Sequence, residues 1–311
     1  MTPASPFHAG ELAVQTRVGV RDKVAVAGLR MIRDAMPQQH RELFAKLPTL
    51  VVGSRDAQGR PWASMLAGRP GFIESPGERR LRIGALPAAG DPLARHIAVG
   101  AALGLLGIEP QTRRRNRMNG TVLDVDAAGF TVGVEQSFGN CPQYIQAREP
   151  QWVDAPAPTL AEDLAGGLHA AAQALVRRAD TLFIASAAPA GVDVSHRGGL
   201  PGFVRLSHDT SGASVLSIPD YRGNNMFNTL GNIAAHPHAG LLFFDPASGD
   251  LLHLSGRAQI VWDGAELASF VGAQRLLKLS VDAGSWRPAA LPLRWSAPEF
   301  AAQLQNPGGG T

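Results

Sequence analysis

The sequence predicts a mainly β protein with peripheral helices, in which one structural unit is written twice. Three observations predict it. First, LVVGSRDAQGRPWASMLAGRPGFI (50–73) is echoed by LFIASAAPAGVDVSHRGGLPGFV (182–204), and the stretch 81–125 is echoed by 214–261. In that register Ser195 matches Ser64, Phe203 matches Phe72, Gly240 matches Gly104 and Gly256 matches Gly120. Second, short aliphatic runs punctuated by Gly and Pro read as many short strands, in a barrel or a sandwich. Third, a helical pattern followed by strands occurs twice. A repeat of this size is a domain rather than a solenoid unit. Duplicated domains commonly reproduce a two-fold homodimer, so the halves are expected to pack together as an internal pseudo-dimer.

In chain order, residues 21–47 read as helix interrupted near Pro37, with Val24, Leu29, Ile32, Leu43, Phe44 and Leu47 on apolar faces. Strands follow at Leu50–Ser54 and Trp62–Leu66, joined by the turn Asp56–Gly59. Others are expected near 81–85, 103–108, 117–125 and 129–135. The loop SFGNCPQYI (137–145) leads to a proline-rich hinge, Asp154–Pro158. Thr159 then opens a second helix, with Glu162 completing a capping box and Leu160, Leu164, Leu168 and Leu175 in helical period. The second strand set begins at 181. The hinge divides the chain into a first half (1–153) and a second half (154–305), with a disordered tail over 306–311.

Composition narrows the function. Of 311 residues, 45% are apolar, which suits a folded chain. The net charge of +3 and the presence of only Lys23, Lys46 and Lys278 as lysines argue against a nucleic-acid binder. Cys141 is the single cysteine, which excludes an internal disulfide and a multi-cysteine metal or iron–sulfur site. The start MTPASPFHAGE lacks a basic segment and an apolar core, and the apolar run Ile97–Ile108 is too short to span a bilayer. A cytoplasmic protein without membrane partners is expected. His236 and His238 lack an evident third ligand, so no metal is expected.

The two copies differ in charge. Arg197, Arg222 and Arg257 stand where the first copy has Leu66, Ala89 and Thr121, and Asp91 stands at the position of Asn224. Three cations in one copy predict one anionic ligand per chain, since each charge-assisted contact contributes about 1.5–3 kcal/mol. If VDVSHR (192–197) is a strand, Asp193, Ser195 and Arg197 share a face, and a hydroxyl beside a guanidinium suits phosphate. The following Gly198-Gly199 lets a ligand approach the backbone. The plainer alternative is a solvent-facing strand with Asp193 paired to Arg197. IPDYRGNN (218–225) is a turn into a short helix, 226–233, whose N-terminus favours anions or is simply capped by Asn. Arg257 is a third contact or a surface arginine. In strand phase Arg113, Arg115 and Arg117 share a face that is solvated, or docks a nucleotide, an acidic partner or carboxylates of the second half.

The motifs DVSHRGGLPGFV, IPDYRGNNM, NIAAHPHAGLLFF and SGRA resemble the pyridoxamine 5′-phosphate oxidase-like superfamily of FMN-binding split barrels, in a subgroup with an S-x-R-G-x-x-P-G-F-V signature. In the first half SPFHAGE, GRPWASML, GLLGIEPQTRRRNRMNG and SFGNCPQYIQ resemble a tandem form of that superfamily, often joined to a ferredoxin-reductase-like module. No such module is evident in these residues. A lysine-containing FMN signature and the C-terminal substrate motif are also absent, so oxidation of pyridoxamine phosphate itself is not expected.

The resemblance implies a tandem split β-barrel with one FMN per chain, its phosphate held by one barrel and its ring completed by the other. Mapped here, Ser195, Arg197, Gly198, Arg222, Asn224, Asn225 and Arg257 hold the phosphate end. The loop 137–145, with Phe138, Cys141 and Tyr144, and also Trp152 or Trp295, form the ring wall; core packing is the alternative for each aromatic. Cys141 is read as a packing or flavin contact. No protein nucleophile is assigned, because flavin carries the chemistry. The expected function is an FMN-dependent oxidoreductase acting on a small molecule, reduced by NAD(P)H or by a separate reductase. The alternatives are a flavin or haem carrier or sensor without turnover, with His8, His196 or His253 as exposed haem ligands, and an assembly scaffold whose site has decayed. Homo-oligomerisation beyond the pseudo-dimer is left open.

Overall fold

The computed structural model describes residues 5–154 and 160–304. The cap at Thr159, most of the hinge and the tail from 306 lie outside the described residues. The first sheet contains β1 (Thr49–Arg55), β2 (Pro61–Ala67), β3 (Ile73–Gly77), β4 (Arg80–Ile83), β5 (Ala102–Glu109), β6 (Arg114–Asp126) and β7 (Gly129–Gly139). The short strands β8 (Pro150–Trp152) and β9 (Glu162–Leu164) follow. The second sheet contains β10 (Thr181–Ala188), β11 (Gly191–Gly198), β12 (Arg205–His208), β13 (Ser214–Asp220), β14 (His238–Phe244), β15 (Leu251–Val261) and β16 (Arg275–Arg287), and β17 (Leu293–Trp295) pairs with β8.

Strand order proves the repeat. The first sheet runs β2-β1-β5-β6-β7-β4-β3 and the second runs β11-β10-β14-β15-β16-β13-β12, the same path with each strand replaced by its counterpart; β9 is added beside β16. Both long central strands carry a bulge at the same place, between Asn119 and Gly120 and between Ser255 and Gly256. The chain is a mainly β, tandem split barrel with peripheral helices.

Two-residue periodicity separates the two buried faces of each sheet. In β1, Leu50 and Val52 enter the first barrel's core while Val51 enters the layer between the sheets. In β10, Leu182 and Ile184 enter the second core while Phe183 and Ala185 meet that same layer. Close approach of the halves requires glycine at two equivalent positions. A Cβ on Gly104 would lie 2.7 Å from the Asp193 Cα, and one on Gly240 would lie 2.7 Å from the Trp62 Cα.

The helices depart from expectation. An unanticipated helix, α1 (Ala9–Val18), has its N-terminus capped by His8, whose Nδ1 accepts from Gly10 N at 3.1 Å. The run 21–47 is two helices, α2 (Arg21–Met31) and α3 (Gln38–Lys46), with Pro37 extended at the start of the latter. The helix expected from 159 forms only as α4 (Ala170–Arg178), after His169. Leu160 is 91% exposed, Glu162–Leu164 is a strand, and Gly166 has φ +78°, which stops any earlier helix. The helix expected at 226–233 is α5 (Asn228–Ala235), because Asn225 and Phe227 both take positive φ and delay its start. A further single turn, α6, spans Ala265–Ala268. Among the described residues, no helix is long and apolar enough to cross a membrane.

Candidate functional site

One cleft opens between the two sheets, and both contribute to it. On the second-sheet side β11 presents Ser195 and Arg197, with Gly198 beyond them. Thr229 Oγ1, on α5, donates to Ser195 Oγ at 3.1 Å. Arg197 lies with Nη2 3.5 Å from Asp220 Oδ1, at the end of β13, and Arg275 lies with Nε 3.0 Å from the other oxygen. Asp193 does not pair with Arg197. Its partner is Arg117 of β6, so the first-sheet basic run docks on a carboxylate of the second half.

The first sheet supplies the opposite wall. Arg115 donates to His196 Nδ1 at 3.0 Å and to the Cys141 carbonyl at 2.7 Å. Arg117 donates to Asn228 Oδ1 at 3.1 Å and lies over the Phe138 ring, 4.8 Å from its centroid. Tyr144, at φ 64°, stacks on Tyr221 at 5.4 Å, and its hydroxyl donates to the Arg222 carbonyl at 3.0 Å. These are the only two tyrosines in the sequence. Gly198 is obligatory here, since a Cβ would collide with the Tyr144 carbonyl oxygen. The exposed turn 222–224 forms the mouth.

Charge is unbalanced. Arg115, Arg117, Arg197 and Arg275 line the cleft, and among the described lining residues Asp220 is the only carboxylate. Burial, with repulsion from Arg197, pushes Arg115 down to about 10; burial, with repulsion from Arg115 and Arg197, pushes Arg117 down to about 9. Both remain cationic at neutral pH. The buried Nε atoms of Arg115 and Arg117 and the Oδ1 of Asn140 have no hydrogen-bond partner. Burial, then Arg115 and Arg197, hold His196 well below its ordinary range, so its ring is neutral and accepts the guanidinium proton. This donor set suits a bound anion with several oxygens.

The mirror-related position in the first half is filled. Asp91, counterpart of Asn224, accepts from Ser64 Oγ at 2.5 Å, from Leu93 N at 3.0 Å and from Arg287 Nη1 at 2.7 Å. Ser64 is the counterpart of Ser195. An internal carboxylate thus fills the first-half position equivalent to Asn224.

Of the residues expected at the site, Ser195, Arg197, Gly198, Asn224, Asn225, Cys141 and Tyr144 line the cleft. Arg222 brings its carbonyl to the mouth. Arg257 does not reach it: it is exposed on β15, opposite His238. Phe138 is fully buried behind Arg117 rather than lining the space. Trp295 packs on Phe244 at 5.1 Å, and Trp152 lies under Arg69 at 4.3 Å, so neither meets the cleft. The histidines considered for haem are not exposed: His253 donates Nδ1 to the Ala63 carbonyl, His196 is buried against Phe183, and His8 hydrogen-bonds Asn232 at 2.8 Å. Sequence reasoning missed Tyr221, Asp220, Thr229 and Arg275. Tyr221 and Asp220 stood within the IPDYRGNN motif, whereas Arg275 carried no local signal.

Fold and cleft together define a tandem split-barrel protein with an arginine-lined cleft between its sheets. Residues 168–290, which span most of the second repeat, match the family described as pyridoxamine 5′-phosphate oxidase. No curated protein matches the chain. Similar solved structures include HupZ from Group A Streptococcus, at 14% identity and TM-score 0.30, covering 37% of this chain and 89% of that one. General Stress Protein 26 from Bacillus anthracis matches at 14% identity and TM-score 0.25, covering 42% and 93%. A pyridoxamine 5′-phosphate oxidase-related, FMN binding protein from Nostoc punctiforme matches at 14% and TM-score 0.25, covering 42% and 94%.

Proposed function

We propose that the cleft binds one FMN per chain and that the protein is an FMN-dependent oxidoreductase acting on a small molecule. The observation that carries this reading is the asymmetry of the two mirror positions: four arginines surround open space in one, and Asp91 with Arg287 closes the other. The arginine side chains that line the cleft and the Ser195 hydroxyl are donor types that suit a phosphate monoester.

In this reading the second half (154–305) holds the phosphate through Ser195, Arg197 and the turn at Asn224, and the first half (1–153) adds Arg115 and Arg117 across the interface. Tyr144 and Tyr221 offer aromatic faces at the mouth, and burial raises both phenols so that they stay protonated donors. Bound flavin supplies hydride or electron transfer. The chain's part is to anchor, orient and exclude water, with Gly198 letting the Tyr144 backbone close over the strand.

Purified protein should carry flavin absorbance, at one FMN per chain. Bleaching by NAD(P)H or a reductase, followed by reoxidation with a small-molecule acceptor, is expected of the enzyme. Bound flavin that no reductant and acceptor turn over would make the protein a carrier. Absence of flavin affinity would remove both readings.

A further inference from the structure

A second cavity, of about 260 Å³, lies beyond the ion pair that walls the cleft. Arg117 lines the cleft, its partner Asp193 lines this cavity, and Asn228 lines both. The two spaces have opposite character. The second is lined by Asp193, Glu135 and Glu11, and no arginine or lysine is among its described lining residues.

We propose that this cavity binds a small primary ammonium cation, with Asp193 as its anchor. Asp193 is 4% exposed; Oδ2 meets Arg117, and Oδ1 has no hydrogen-bond partner. A buried carboxylate oxygen without a donor is costly. Beside it Asn119 also carries a buried Oδ1 without a partner, its amide nitrogen being held by Gln136 at 3.2 Å. Glu135 accepts from Thr121 at 2.6 Å and sits at the exposed rim, adding negative charge. The Glu11 oxygens are already engaged, by the His8 amide at 2.9 Å and by Asn228 at 2.5 Å.

The acceptors without a partner are therefore the buried Asp193 Oδ1 and Asn119 Oδ1, with the remaining Glu135 oxygen at the rim. An ammonium group has three donors and no acceptor, which matches this set. A metal ion is disfavoured, because among the described residues no three metal-ligating side chains converge. The cation would share Asp193 with Arg117 and so leave that guanidinium freer for an anion in the cleft. This coupling, unlike the cavity itself, rests on the proposed cleft ligand, and it must be reciprocal.

The test titrates the full chain with ethylammonium by calorimetry at constant ionic strength. Tetramethylammonium, which has the charge but no N–H donor, and ethanol are the controls. Ethylammonium is expected to bind at one site at least about tenfold more tightly than tetramethylammonium, as a charge-assisted hydrogen bond requires. Asn119→Asp should tighten binding severalfold, and Asp193→Asn should weaken it about tenfold or more. Asp193→Asn also removes the Arg117 pair; the Asn119→Asp gain does not depend on that variant folding. Equal binding of tetramethylammonium, or no gain in Asn119→Asp, overturns the proposal. Titrating inorganic phosphate with and without ethylammonium reads the coupling separately, so failure of the cleft assignment leaves the direct measurement intact.

Discussion

Asp91 and Arg287 form a buried ion pair, at 2.7 Å, across the boundary between the two halves of the chain. The carboxylate comes from the first half and the guanidinium from the end of β16 in the second. In the other half the residue equivalent to Asp91 is Asn224, which instead accepts from Met226 N at 3.1 Å and leaves its cleft cationic. The repeated fold has two matching positions, and one of them holds a carboxylate of its own.

Asp91→Ala is expected to lower stability by about 3–5 kcal/mol, because it strands Arg287 and Ser64 without their partner. Denaturant unfolding measures this. A loss below about 1 kcal/mol would mean that water replaces the carboxylate and that Asp91 is not a built-in anion.

Arg197→Ala should weaken FMN binding by about 10- to 100-fold, the contribution of one charge-assisted contact. Arg115→Ala should do the same from the opposite sheet. Arg257→Ala should leave affinity unchanged, since Arg257 is exposed on β15 and outside the cleft. Flavin fluorescence quenching reads all three variants, and a loss in Arg257→Ala would contradict the placement of the site.

Gly104→Ala should cost about 1–3 kcal/mol through overpacking, because the added methyl would meet the Asp193 backbone at 2.7–2.8 Å. It should also reduce ligand affinity by moving β11 relative to β5. Gly167→Ala, with open space around it, is the matched control and should be close to neutral. Thermal melts of the pair distinguish interface crowding from a general loss of glycine.

Acid should destabilise the fold before its carboxylates titrate. His196 and His253 are buried, and burial, the largest cause for both, lowers their folded-state values below 6.5. The unfolded chain therefore takes up these protons more readily than the folded one. Their contribution is complete above about pH 6.5, the unfolded value, and is lost as pH falls below it. Unfolding free energy measured from pH 8 to pH 5 should fall in this window, with a shallower fall in His196→Asn. A flat profile, or an identical slope in the variant, would refute the linkage.

Much of the fold was legible because strand patterning is local. Leu50–Ser54, Trp62–Leu66 and the runs after 102 alternate between two buried faces, and the matched glycines marked where those runs repeat. The helices were less legible. Leu160, Leu164 and Leu168 share a helical period, yet Leu164 is taken by β9 pairing with β16, a long-range contact that overrides local preference. At the site, Arg197 and Asn224 were visible because the first copy has Leu66 and Asp91 in their places, and Ser195 because it shares a strand face with Arg197. Arg275 and Thr229 were not, since neither stands in a marked motif.

By itself, the sequence determined that one unit is repeated, that it is built of many short strands, and that only the second copy keeps Arg197. Only tertiary structure decided which charges meet. Arg117 lies 76 residues from Asp193, and Asp91 lies 196 residues from Arg287. A guanidinium's partner is set by where two sheets cross, and spacing along the chain carries no record of that crossing.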